Sequence, residues 1–183
     1  DAGWDGHGLA IDGHAVAAAR AAGLANVRTG DLLEADYAPE SFDAVRFWHS
    51  LEHLRSPRAH LLAAHRVLRR GGSLTIGVPN VRSLLSRMFR DRSFYLDVPR
   101  HLWHFDRATL VQLVSACGFR VLHVRLATGS QPLLGTLALV RGKENSRTSR
   151  AAWYGLLPVA MLLDRMGLGD ALELRAVRAE GRD

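Results

Sequence analysis

His49, Glu52 and His53 are spaced i, i+3, i+4 just beyond the apolar run Phe42–Trp48. An imidazole titrates near neutral pH and can take a hydroxyl proton, so His49 and His53 are candidate general bases with Glu52 as companion. Two imidazoles and a carboxylate can also bind a transition metal. The plainer alternative has Glu52 and His53 hydrogen-bonding the loop backbone, and no metal is assigned. Farther along, His101 and His104 flank Trp103 and can orient or deprotonate an acceptor, or simply form a polar cap over a sheet edge.

Phe47 and Trp48 end the apolar run, at the edge where open α/β sheets bind ligands. An aromatic face there can sit beside a cation, although an aromatic at such a place more often belongs to the core. Arg82, Arg87, Arg90 and Arg92 alternate with Leu84, Leu85, Met88 and Phe89. That pattern predicts a basic amphipathic helix able to meet an anionic substrate or lipid headgroups, or a helix with an ordinary solvated face.

The elements that position these residues follow from periodicity. Strands are expected over residues 6–11 and 26–29, separated by a helix over 15–22 that Asp12 caps and Gly23 ends. Phe42–Trp48 is nearly all apolar, as in a strand covered on both faces. Pro57 opens a helix over 57–70 that Gly71 and Gly72 stop, and a strand over 73–78 follows. Asp106 caps another helix, closed by Gly118 and followed by the strand Phe119–Leu126. Such alternation predicts a doubly wound α/β sheet, mostly parallel, with helices on both faces. Residues 141–150 read as an exposed loop, 151–166 as an apolar helix bent at Pro158, and Ala171–Arg178 as a final strand.

The 183 residues carry 48% hydrophobic content, enough for one core and one domain. A lone cysteine, Cys117, excludes an internal disulfide framework and thiolate-rich metal sites. The net charge of +6 favours anionic partners, but no groove-reading motif accompanies it. The uncharged stretch 151–163 is too short to span a bilayer, which takes about 20 apolar residues; a peripheral membrane contact is an open expectation. With no leader pattern at the start, a cytoplasmic setting is expected.

Several runs carry a resemblance. Phe42-Asp43-Ala44-Val45 followed by Leu51-Glu52-His53-Leu54 and Pro57 is similar to the "FDvV…LEHv.dP" segment of class I S-adenosylmethionine-dependent methyltransferases. His65-Arg66-Val67-Leu68-Arg69-Arg70-Gly71-Gly72 resembles their "hRvLrpGG" turn, and Val78-Pro79-Asn80 the end of the next strand. Leu96-Asp97-Val98-Pro99-Arg100-His101-Leu102 with His104-Phe105 is similar to the "LDvPRHLyHF" segment of one branch. The likeness covers residues 8–125.

The resemblance implies a Rossmann-like sheet with an antiparallel final strand, S-adenosylmethionine as cofactor, and methyl transfer to a small-molecule or glycan-type acceptor at oxygen. It places Asp31 and Leu32 at the adenine edge and Phe47 and Trp48 along the cofactor, with His49, Glu52, His53, His101 and His104 handling the acceptor. Ala10 stands where the family usually has a ribose-gripping acid, and Asp12 is either a displaced surrogate or a helix cap. One group of relatives, the quinone-pathway O-methyltransferases, uses a divalent ion near His49, Glu52 and His53; most relatives with the motif use none.

The resemblance also expects the family's first strand and glycine-rich loop to lie before Asp1. Residues 1–183 then form a single incomplete domain, poorly stable and binding cofactor weakly or not at all by itself, with 128–170 an irregular, helical insertion. The Asn-Pro-Pro-aromatic signature of adenine amino methylation is absent, so no nucleic-acid partner is expected. Rival readings are a degenerate, non-catalytic scaffold or partner-binding domain, and a peripheral membrane protein acting on lipid-linked glycans.

Overall fold

Asp12 has extended backbone and its carboxylate accepts the His14 amide at 2.9 Å, so α1 (Gly13–Ala21) starts directly behind it. The helix links two short parallel strands, β1 (Gly8–Ala10) and β2 (Val27–Thr29). A Cβ on Gly8 would lie 3.2 Å from Val27, so the two strands are closely apposed there. The computed structural model describes residues 3–127, 134–136 and 155–179.

The larger sheet comprises β3 (Phe42–Trp48), β4 (Leu68–Pro79), β5 (Phe119–Leu126) and β6 (Ala171–Arg178), in the order β3-β4-β6-β5. β3 and β4 are parallel, while β6 runs antiparallel to both β4 and β5. The antiparallel last strand was expected; one mostly parallel sheet was not what formed. The described strands make two sheets, and the larger is mixed because β6 inserts between β4 and β5. Among the described residues β1 pairs only with β2, and β3 only with β4. Between those free edges His7, Tyr37 and Phe42 meet edge to face, with Tyr37 and Phe42 centroids 4.8 Å apart.

Helix α2 (Pro57–Val67) is shorter than predicted. At Leu68 the backbone becomes extended and β4 begins. Gly71, at φ 72°, lies where the register slips from Phe42↔Leu68 to Ala44↔Ser73. The two glycines therefore serve a bulge in the strand rather than a helix stop.

The expected arginine helix is also broken. α3 (Leu84–Phe89) ends at Arg90, whose φ is 48°, and residues 90–92 form a separate 3₁₀ turn. Arg82 precedes α3 and pairs with Asp106 at 2.9 Å. Asp106 and Thr109 form a reciprocal capping box that opens α4 (Arg107–Ala116). α5 (Leu157–Arg165) begins one residue before Pro158, so the proline sits in its first turn, where a missing N–H costs nothing. The predicted loop 141–150 and residues 151–154 lie outside the described residues.

The core forms where α2 and α4 cover the sheet. Leu61, Leu74, Ile76, Leu110, Val114 and Leu174 are fully buried there. Among the described residues no helix is long and apolar enough to cross a membrane.

One register pair sets the surface at the end of β3. Trp48 lies opposite Gly77, and a Cβ on Gly77 would fall 2.7 Å from the indole. Gly77→Val is expected to lower stability by about 1–3 kcal/mol through overpacking, read as an earlier urea midpoint by circular dichroism; an unchanged midpoint would refute the close stacking.

Candidate functional site

β3 delivers the chain to the site under backbone constraint. His49, the next residue, has φ 49° and its amide donates to the Gly77 carbonyl at 2.9 Å. A non-glycine residue in the left-handed region costs roughly 1–3 kcal/mol. The chain then enters the 3₁₀ turn Leu51–His53, in which Leu51 is buried in the core and Glu52 is fully buried beside it.

The Glu52 carbonyl accepts from the amides of Leu102 (2.9 Å) and Trp103 (3.2 Å), and the Trp103 indole N–H donates to the Leu54 carbonyl at 2.9 Å. These bonds lay the 93–105 segment across the turn. His53 Nδ1 lies 3.0 Å from the Arg100 carbonyl, and His101 Nδ1 lies 2.8 Å from that of Tyr95. A carbonyl only accepts, so both Nδ1 atoms carry the proton and each neutral ring keeps its lone pair on Nε2. The two rings are 4.6 Å apart between centroids.

Glu52 carries the unusual chemistry. Neither carboxyl oxygen has a hydrogen-bond partner, although His49 Nδ1 approaches Oε1 to 3.4 Å. Burial holds His101 below the ordinary imidazole value despite the Tyr95 carbonyl and Glu52, so its ring is neutral at neutral pH. Tyr95, tilted against His49 at 5.5 Å, is pushed up to about 12 by burial and then by the charges of Asp170 and Glu52. His104 stands apart, exposed, with Nε2 against the Leu96 carbonyl at 3.0 Å.

A second polar group follows β2. Asp31 Oδ1 accepts from the Leu33 amide at 2.8 Å and from His60 Nε2 at 2.7 Å, while His60 Nδ1 meets the Ser56 carbonyl at 2.8 Å. Burial opposes ionisation of Asp31, but the Leu33 amide and His60 outweigh it and hold the carboxyl below its usual range. Leu32 packs against the core, whereas Leu33 is exposed. Ile11, Leu33 and Trp48 thus present apolar surface just past or at the ends of β1, β2 and β3. Arg46 lies 4.0 Å over the Trp48 ring, while Phe47 is buried in the core. Asp12 caps α1 through Oδ1.

His49, Glu52, His53 and His101 therefore come together, and His104 does not join them. Sequence reasoning missed His60, Tyr95 and Asp170. A histidine beside Leu61 on the buried face of α2 was the available signal for His60, and an aromatic directly before the Leu96–His101 run was the signal for Tyr95. Nothing local marked Asp170, which reaches the site only because β6 inserts beside β4.

A family model described as a methyltransferase domain matches residues 2–124. No curated protein matches the chain. Among solved structures, the chain is similar to a SAM-dependent methyltransferase, possible histamine N-methyltransferase, from Thermotoga maritima, with 19% identity over 93% of this chain and 72% of that one (TM-score 0.65). It is also similar to a SAM-dependent methyltransferase from Archaeoglobus fulgidus (17% identity, 92% and 74% covered, TM-score 0.62). The [4+2]-cyclase SpnF shares the fold as well (20% identity, 96% and 67% covered, TM-score 0.63).

Asp170, buried beside Ser83, has its carboxyl pushed up to about 6 by burial, despite the Ser83 hydrogen bond. A folded-state value above the ordinary 3.8 means that folding favours the protonated form. The associated stability is full below pH 3.8 and is lost as pH rises through about 6. Asp170→Asn should abolish that decline and gain on the order of 2 kcal/mol over the parent at pH 7, measured by thermal melts from pH 4 to about 8; parallel profiles would refute it.

Proposed function

Because the chain belongs to the methyltransferase-domain family, we propose that it moves the methyl group of S-adenosylmethionine onto a small-molecule or glycan-type acceptor, at oxygen. The observation that carries this reading is the pair of imidazoles, His53 and His101, each with Nδ1 on a backbone carbonyl, gathered at buried Glu52 beyond the end of β3.

The residues present suit the cofactor. Exposed Ile11, Leu33 and Trp48 offer apolar surface for a nucleoside, and the Asp31 carboxylate, held below its usual range, can accept from an adenine amino group. When bound, S-adenosylmethionine supplies a methyl carbon made electrophilic by its sulfonium. His101 or His53 takes the acceptor's hydroxyl proton on Nε2 as the oxygen forms its bond to the methyl carbon. The bound cofactor would supply the methyl group and its sulfur leaving group, and the imidazole that took the hydroxyl proton would be left protonated. His49, 3.4 Å from Glu52, orients within the same group.

One observation favours a second reading, a non-catalytic scaffold. Ala10 offers no carboxylate to a ribose, and Asp12 Oδ1 is occupied in capping α1.

Binding of S-adenosylmethionine in calorimetry removes the scaffold reading, which predicts none. On the first reading Asp31→Ala weakens cofactor affinity at least tenfold. Transfer of labelled methyl to a panel of phenolic and sugar hydroxyls should yield product, and His53→Gln combined with His101→Gln should lower the rate at least a hundredfold without changing cofactor affinity. An undiminished rate in that double variant would remove the imidazoles from the chemistry.

A further inference from the structure

We propose that Glu52, His53 and His101 hold a divalent transition-metal ion, with the Glu52 carboxylate and the two Nε2 atoms as ligands. One potential ligand atom from each of the three lies within 4.8 Å of the others, a spacing that a single ion can bridge with modest side-chain adjustment.

Three independent features of the site point to a cation. Glu52 is fully buried, and both of its carboxyl oxygens lack hydrogen bonds. Such groups are costly to bury, at about 1–3 kcal/mol each, unless something satisfies them. Both histidines are held by backbone carbonyls at Nδ1, which fixes the tautomer and turns the Nε2 lone pair outward, the arrangement found behind metal-bound imidazoles. Asp97 Oδ2 stands 4.0 Å from His101 Nε2, beyond hydrogen-bond reach, and its Oδ1 is held by Arg100. His53 is exposed, which leaves a route in from solvent.

The donor set selects the ion. Two imidazoles and one carboxylate suit Zn²⁺, Fe²⁺, Co²⁺ or Mn²⁺, whereas Mg²⁺ and Ca²⁺ prefer all-oxygen shells. The set also differs from the one that sequence spacing suggested: His101 comes from the segment laid across the turn and replaces His49. Three protein ligands leave coordination positions for an acceptor oxygen, whose proton a divalent ion would help to release. That role rests on the methyl-transfer reading; ion binding does not.

The test therefore omits cofactor and acceptor. The 183-residue chain, stripped with chelator, is titrated with Co²⁺ alone and followed by its visible absorption. A saturable one-to-one spectrum that Zn²⁺ displaces is expected. His53→Ala and His101→Ala should each weaken Co²⁺ at least tenfold, and His123→Ala, on β5, should not. In thermal melts Zn²⁺ should stabilise the parent chain. Glu52→Gln should melt no lower than the parent without metal, yet gain nothing from Zn²⁺. The proposal is overturned by the absence of a saturable Co²⁺ spectrum, or by one that survives in Glu52→Gln, His53→Ala and His101→Ala.

Discussion

The site depends on one backbone joint, the Glu52 carbonyl accepting from both the Leu102 and Trp103 amides. Those bonds tie a segment that follows β4 to a turn that follows β3. Without them His53 and His101 would belong to unrelated loops, and the Arg100 and Tyr95 carbonyls could not orient the two rings together. Because the Glu52 carbonyl is satisfied by backbone, its side chain is left in the interior with no hydrogen-bonding duty of its own. A buried carboxyl in that position is a local instability that the rest of the fold must sustain.

The sheet supplies the support. β4 is buried along its second half, paired with β3 on one side and β6 on the other, and its Gly77 carbonyl holds His49 in a left-handed conformation. Asp97, within the 93–105 segment, is also at positive φ, with its carboxylate on Arg100. Left-handed backbone therefore occurs at two residues of the site, His49 and Asp97, and also at Glu40 and Arg90 outside it.

Insertion of β6 between β4 and β5 has a consequence for electrostatics. It brings the Asp170 carbonyl within 2.8 Å of the Asn80 amide, and the Asp170 carboxyl near enough to Tyr95 to raise it. A residue from the end of the chain thus tunes a phenol that leans on His49. The second polar group, Asp31 with His60, is joined in the same way by α2 reaching back to the end of β2.

Features governed by short-range physics were legible in the residues themselves. The run 42–48 was legible as a strand but not as a covered one, since only Phe47 of it is buried at the sheet edge; Asp12 and Asp106 announced their helices by capping chemistry, and the runs around Glu52 and His101 marked both halves of the site. What required the tertiary structure was every relation between distant segments. Glycines 71 and 72 are equally good as a helix stop or a bulge, and only the register against β3 chose the bulge. The split into two sheets followed from which edges found partners, and the pairing of His53 with His101 from amides donated across the turn. Side-chain type and spacing set what chemistry each residue can do, because those are local properties. Which lone pairs meet depends on hydrogen bonds between strands and loops far apart in sequence, and only the folded chain decides that.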